Sequence, residues 1–300
     1  MQKTIWITGA SSGIGQEFAR RYAKLGCRLI LTARRTDRLE ALAAKLGTPC
    51  RILPADLARE EDCQRLFKEL EGETIDIFIN NAGFGVCGSY LETDDAREEE
   101  MIRVNVEAMA RLFRFAVRRM HAAGGGTILN VASSAGLLPG GPYMAGYYAS
   151  KAYVVSLTRG VARELQELHS PVYVCALCPG PVDTEFNDRA GVVFALKGIT
   201  PEFCVDEAIH GMLHHKTHHR TVGLYAAVHL GAEAAAHASA DAHRSPSAEK
   251  EAGLTGKAHK TPVGLLCRLP NACPGQVGRL PKSGHLHEKT CRKARNAVKL

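Results

Sequence analysis

The chain has 300 residues, 45% of them hydrophobic, enough to bury a sizeable core in one large or two small domains. Its net charge of +7 is confined to the end, because residues 1–225 hold 26 Lys+Arg against 26 Asp+Glu and residues 226–300 hold 12 against 5. All 18 aromatic residues also lie at or before Tyr225, so the basic excess does not describe the main body, for which neither a nucleic acid nor a membrane is an expected partner.

Short apolar runs alternate with amphipathic stretches. Thr4–Thr8 (TIWIT) predicts a first strand and Gln16–Leu25 a helix. Arg28–Ala33 predicts the second strand, followed by a helix through Leu39, Leu42 and Leu46. Arg51–Pro54 is a weaker third strand with a helix at 59–70, and Ile75–Ile79 is the fourth. The stripe Met101, Val104, Ala108, Leu112 is spaced for one helix face. Strand, helix and strand follow at 127–131, 147–168 and 172–177. Runs that are apolar on both faces and alternate with helices predict an α/β fold, a doubly wound parallel sheet covered on both sides. Ligands bind such sheets beyond the carboxyl ends of the strands, and the polar motifs fall there.

The first motif, Thr8 to Gly15 (TGASSGIG), follows strand one and opens a helix. Its glycines let the backbone approach a pyrophosphate, and the helix N-terminus offers free N–H groups. Gly9, Ser11, Ser12, Gly13, Ile14 and Gly15 are therefore candidate cofactor contacts. Strand two ends in Arg34 and Arg35, where a carboxylate would serve a ribose 2′-hydroxyl and an arginine serves a 2′-phosphate. That favours NADP(H). Asp56 and Leu57 follow strand three, to contact an adenine or, for Asp56, to cap the next helix. Asn81, Ala82 and Gly83 end strand four, where the amides tie loops together or line a ribose. Asn105 puts an amide on the apolar side of its helix, and a buried amide needs partners.

Between Ser133 and Lys151 the chain reads SSAGLLPGGPYMAGYYASK. Tyr147 and Lys151 are four apart on a helix and so share a face. The ammonium is expected to lower the phenol pKa toward the range in which it exchanges protons. Strand register places the Ser133 hydroxyl opposite them, with Ser134 as the alternative.

These motifs together resemble the short-chain dehydrogenase/reductase family: TGASSGIG, NNAG at 80–83, Asn105, the Ser133 region, YYASK at 147–151 and PGPVDT at 179–184. The resemblance covers residues 1 to about 222. It implies a single Rossmann-type domain over 1–225 and an oxidoreductase that moves hydride between NADP(H) and a carbonyl or secondary alcohol. Tyr147 would be the acid–base, Lys151 its pKa partner and a ribose contact, Ser133 the third catalytic group and Asn105 the support of a water relay to Lys151. Pro179, Gly180, Val182 and Thr184 would close over the nicotinamide. Homo-oligomerisation is a further family expectation. A regulator that binds NADP(H) without chemistry is the alternative, and intact Ser, Tyr and Lys argue against it. Phe84, Val86, Leu137, Leu138, Pro142, Tyr143, Met144, Phe186 and Phe194 lie near the predicted site and suggest an apolar substrate.

No run approaches the roughly 20 apolar residues of a membrane helix. The first strand leaves no room for a signal peptide. Ten scattered cysteines fit a reducing cytoplasmic setting. No metal is expected. Cys175 and Cys178 would point to opposite faces of a strand, the histidines at 210, 214, 215, 218 and 219 read as a solvated helix end, and Cys267, Cys273, His285, His287 and Cys291 lack ligand spacing. Thr221–Tyr225 is a thin candidate for a last strand. Residues 226–300 are a low-complexity basic tail, expected to be disordered because they cannot bury enough apolar area.

Overall fold

The computed structural model describes residues 2–192, 198–214 and, by backbone alone, 222–224. Among these residues seven strands form one parallel sheet in the order β3-β2-β1-β4-β5-β6-β7. They are β1 (Thr4–Thr8), β2 (Arg28–Thr32), β3 (Cys50–Ile52), β4 (Ile77–Asn80), β5 (Gly126–Val131), β6 (Val172–Leu177) and β7 (Val222–Leu224). The order reverses between β1 and β4, which opens a crevice at their carboxyl ends. This is the doubly wound sheet expected from the alternating pattern.

Each strand sends alternate side chains to opposite faces. Trp6, Ile30, Phe78, Ile128 and Val174 pack on one side, against α3 (Glu60–Glu69), α5 (Met109–Ala122) and α6 (Ala145–Glu167). Ile5, Ile7, Leu29, Leu31, Ile79, Leu129 and Cys175 pack on the other, against α1 (Gly13–Lys24), α2 (Thr36–Leu46) and α8 (Pro201–Leu213). At the centre Trp6 stacks on Phe78 with ring centroids 4.1 Å apart and donates Nε1–H to Thr32 Oγ1 at 3.0 Å. Fully burying such a ring contributes about 2–3 kcal/mol, and the N–H loses nothing because it keeps a partner.

A polar bridge within this core fixes the site's scaffold. Asn80 and Asn130 are register partners on β4 and β5, and Asn80 Nδ2 donates to Asn130 Oδ1 at 3.0 Å. Asn130 Nδ2 donates to Thr158 Oγ1 on α6 at 2.9 Å. All three side chains are buried, so the amides are satisfied only if β4, β5 and α6 hold one alignment.

Several boundaries differ from the sequence pattern. β3 ends at Ile52, before Leu53-Pro54, since proline cannot donate to the ladder. β4 begins at Ile77 rather than Ile75 and runs on to Asn80. The stripe 101–112 is not one α-helix. Between α4 (Asp95–Ile102) and α5 the segment Arg103–Ala108 is π-helical, with Asn105 inside it. Asp56 does not cap α3. It turns the chain before that helix, its Oδ1 accepting from Ala58 N at 3.1 Å. β7 lies parallel to β6 within the stretch expected to form a last strand. The tail 226–300, and with it the expectation of disorder, lies outside the described residues.

Candidate active site

One cleft at the crevice is lined by Gly9, Ser11, Ser12, Gly13 and Ile14 after β1, by Arg34 and Arg35 after β2, and by Asp56 and Leu57 after β3. Asn81, Ala82 and Gly83 follow β4, Ser133 and Ser134 follow β5, and Pro179, Gly180, Val182 and Thr184 follow β6. Tyr147 and Lys151 reach it from α6. Six strand ends, spread over some 170 positions of sequence, thus meet around one opening, as a doubly wound sheet requires. Of the expected site residues, Gly15 and Asn105 stand behind the wall rather than in it.

The Gly-rich loop is tied to the end of β4. Asn81 Nδ2 donates to the carbonyl oxygens of Thr8, at 2.9 Å, and Gly9, at 3.4 Å. The buried Thr8 Oγ1 accepts from the N–H groups of Asn81 and Ala82 at 2.9 and 3.1 Å. Thr8 was missed as a site residue because it reads as one more buried strand position. Gly9 has φ +66°, and a Cβ there would lie 2.7 Å from Asn81 Nδ2. A Cβ at Gly15 would press into the Gly9 carbonyl. These positions accept only glycine, and the loop's backbone is left free to approach a ligand.

Tyr147 is buried against Met144, Val86 and Phe186. Burial pushes its phenol up to about 12, with a hydrogen bond to the Ser133 side chain offsetting part of the rise. Lys151 is also buried and is pushed down to about 8 by desolvation. Its Nζ donates to Val131 O at 2.9 Å and stands 5.9 Å from the centre of the Tyr147 ring. The expected lowering of the phenol by Lys151 is therefore not what the packing produces. Both groups are withdrawn from water and each drifts toward its neutral form, with desolvation the largest cause for both. At pH 7 the pair is phenol and ammonium.

Of the two candidate serines, Ser133 meets Tyr147. Its Oγ also accepts from Ala135 N at 3.1 Å, capping the 3₁₀ turn Ser134–Leu137. Ser134 lines the cleft, and its backbone N–H donates to Pro179 O at 2.8 Å, joining the loops after β5 and β6.

Asn105 makes three hydrogen bonds to protein groups. Oδ1 accepts from Phe84 N, while Nδ2 donates to Phe84 O and to Ser150 Oγ. The Asn105 and Lys151 side chains flank Gly83, where a Cβ would lie 2.8 Å from Asn105 Oδ1 and 3.3 Å from Lys151 Nζ.

Both arginines after β2 have carboxylate partners. Arg34 Nη1 lies 2.6 Å from Glu100 and 4.0 Å from Asp56. Arg35 donates to the hydroxyls of Ser11 and Ser12 and pairs with Glu185 at 3.0 Å. Glu185 opens α7 (Glu185–Ala190), and Arg35 and Arg38 hold its carboxyl below the usual range. Sequence spacing carried no sign of these pairings. Asn187, Arg189 and Tyr148, also in the wall, were likewise not singled out.

Phe84, Met144 and Phe186 line the cleft as expected. Val86 is buried behind them. Leu137, Leu138, Pro142 and Tyr143 stand outside the lining, and Phe194 lies outside the described residues. Cys175 and Cys178 belong to the cores on opposite sides of the sheet. His210 and His214 stack with ring centroids 4.0 Å apart, and no set of three metal-ligating side chains converges among the described residues. The other expected His and Cys groups lie beyond them. No helix among the described residues is long and apolar enough to cross a membrane.

Residues 3–191 match the family model described as short chain dehydrogenase. The galactitol 2-dehydrogenase (L-tagatose-forming) of Cereibacter sphaeroides is 39% identical over 185 residues, 60% of this chain and 72% of that one. A short-chain dehydrogenase from Sphingobium yanoikuyae, solved in complex with NADPH, superimposes with a TM-score of 0.71 at 34% identity, covering 80% of this chain and 94% of that one. A short chain dehydrogenase/reductase from Burkholderia phymatum, solved with NAD, has a TM-score of 0.70 at 25% identity, covering 84% and 98%. With the sheet, the Gly-rich crevice and the Ser133–Tyr147–Lys151 arrangement in place, the chain belongs to the short-chain dehydrogenase/reductase family of oxidoreductases.

Proposed function

We propose that the protein is an NADP(H)-dependent reductase of carbonyl compounds, equally a dehydrogenase of the corresponding secondary alcohols, with an apolar substrate. One observation carries the reading: the Tyr147 phenol, one helical turn from the Lys151 ammonium, lines the same cleft as Ser133 and the Gly-rich loop. A binding module has no use for a buried proton donor there.

The residues present suit a nicotinamide dinucleotide. The loop after β1 bears no side chain at Gly9 or Gly13, Ser11 and Ser12 offer hydroxyls, and Arg34 and Arg35 stand where a 2′-phosphate falls. NADP(H), when bound, supplies or accepts the hydride. In reduction the substrate oxygen accepts hydrogen bonds from Ser133 and Tyr147, and Tyr147 gives its proton to that oxygen as the carbonyl carbon takes hydride. The phenolate left behind is stabilised by the Ser133 hydroxyl and the Lys151 ammonium. Lys151 has three donors and gives one to Val131 O, so two remain for a ribose hydroxyl and for a water that returns the proton. In oxidation the same atoms run in reverse, with Tyr147 as base. Phe84, Met144 and Phe186 exclude water and favour an apolar substituent.

The test is NADPH consumption against a carbonyl panel, wild type beside Tyr147→Phe. The variant should retain NADPH binding and lose about 10²- to 10⁴-fold in turnover. Equal rates would end the assignment of Tyr147. Tight binding with no turnover in the wild type, on any carbonyl, would favour a regulator.

A further inference from the structure

We propose that Arg189, on α7, is a specificity-determining residue for the cofactor: with Arg34 and Arg35 it forms a three-arginine site for the 2′-phosphate of NADP(H). The inference rests on the NADP(H) reading above and adds a residue from a distant part of the chain.

All three guanidinium groups line one cleft, but they are not equivalent. Arg34 is compensated by Glu100, and Arg35 shares Glu185 with Arg38. Arg189 has no carboxylate within ion-pair distance among the described residues. Burial and then the charges of Arg35 and Arg34 hold its basicity down, against a smaller opposing effect of Glu185 and Glu100. Like charges on one cleft repel unless an anion joins them. A phosphate monoester, with close to two negative charges and three acceptor oxygens, matches a site whose third guanidinium is uncompensated.

The geometry favours the 2′-phosphate over the pyrophosphate. Arg34 and Arg35 sit at the carboxyl end of β2, where the adenosine ribose is read, whereas a pyrophosphate goes to the loop before α1. α7 is held at both ends. Glu185 joins it to Arg35 and Arg38, and the Arg189 carbonyl accepts from Arg97 Nη2 at 3.0 Å. The Arg189 side chain is thus presented from a segment already fastened across the cleft.

The experiment measures dissociation constants of the full chain for NADPH, NADH, adenosine 2′,5′-bisphosphate and 5′-AMP by calorimetry, in wild type, Arg189→Gln and Arg189→Lys. Arg189→Gln should weaken NADPH and the bisphosphate about ten- to a hundredfold while moving NADH and 5′-AMP by less than about threefold. Arg189→Lys should recover part of the loss, since it keeps the charge without the fork. Equal weakening of NADPH and NADH would move Arg189 to the pyrophosphate and overturn the inference, as would no change in either. A wild type that binds NADPH and NADH alike would instead remove the NADP(H) reading itself. A wild-type preference that survives in Arg189→Gln removes only the role of Arg189.

Discussion

The side chain of Asn105 grips the backbone of Phe84 from both sides, with Oδ1 3.1 Å from the Phe84 nitrogen and Nδ2 2.8 Å from its carbonyl oxygen. The π-helical turn at Arg103–Ala108 brings the amide to this position, and π-turns inside α-helices recur at functional sites. The contact shapes the wall that Phe84 contributes to the cleft.

Replacing Asn105 by Leu strands the Phe84 N–H and C=O and takes from the Ser150 hydroxyl the bond it accepts, leaving its donation to Tyr147 O. We expect a loss of about 2–4 kcal/mol in urea unfolding, together with weaker NADPH binding. Unchanged unfolding would mean that the amide does not hold this loop.

The two serines after β5 should separate cleanly. Ser133→Ala removes the hydrogen bond to Tyr147 and should lower kcat about ten- to a thousandfold, while Ser134→Ala, whose bond to Pro179 is made by its backbone, should change kcat less than about threefold. The reverse order in steady-state rates would show that strand register misidentifies the catalytic hydroxyl.

Lys151 sets a pH limit. Its pKa is lowered to about 8, so the ammonium that steadies the phenolate is present below that value and is lost as pH rises through it. For reduction, kcat/KM, which reports the free enzyme, should be level near pH 7 and fall above about pH 8, whereas Tyr147 remains protonated until about 12. The same shift affects folding with the opposite sense. The unfolded Lys binds its proton up to its ordinary value of 10.5, so burying it costs most below pH 8 and the cost is relieved as pH climbs from 8 to 10.5. A reduction profile that stays flat to pH 10 would contradict the assignment.

Acid stability should depend on Glu73. Its carboxylate joins Arg28 on β2, at 2.6 Å, to Arg51 on β3, at 2.7 Å, and is lowered to about 2, chiefly by the hydrogen bond from Arg28. Because the folded pKa is depressed, its stabilisation is present above the unfolded value of about 4.5 and is lost as pH falls toward 2. After allowance for the partly exposed arginines this is about 1–2 kcal/mol. Glu73→Gln should unfold more easily at pH 7 and show a shallower loss of stability between pH 4.5 and 2, read by thermal melts. Parallel acid curves for the two proteins would show that the clamp carries no net energy.

Much of the site was legible because its motifs are local. TGASSGIG and the YxxxK spacing state a backbone shape and a shared helix face within a few residues, and apolar runs such as TIWIT declare strands buried on both sides. Ser133 lies past the end of β5 at Val131, so the direction of its hydroxyl is set by the 3₁₀ turn it caps rather than by strand alternation. The π-turn at Asn105 was not legible, because the stripe from Met101 to Leu112 has the same spacing whether or not one turn is widened. Nor was the role of Thr8, whose hydroxyl finds its partners only when the end of β4 lies beside it.

By itself, then, the amino-acid order determined the alternating layers, the glycine turn and the phenol, ammonium and hydroxyl of the site, since each follows from periodicity or from chemistry within one element. Only tertiary structure decided which charges meet and how strongly each titrates. Glu100 finds Arg34 and Glu185 finds Arg35 across long stretches of chain, and Arg189 is left with no carboxylate within ion-pair distance among the described residues. Desolvation, the largest influence on both Lys151 and Tyr147, depends on everything packed around them, and that density exists only in the folded chain.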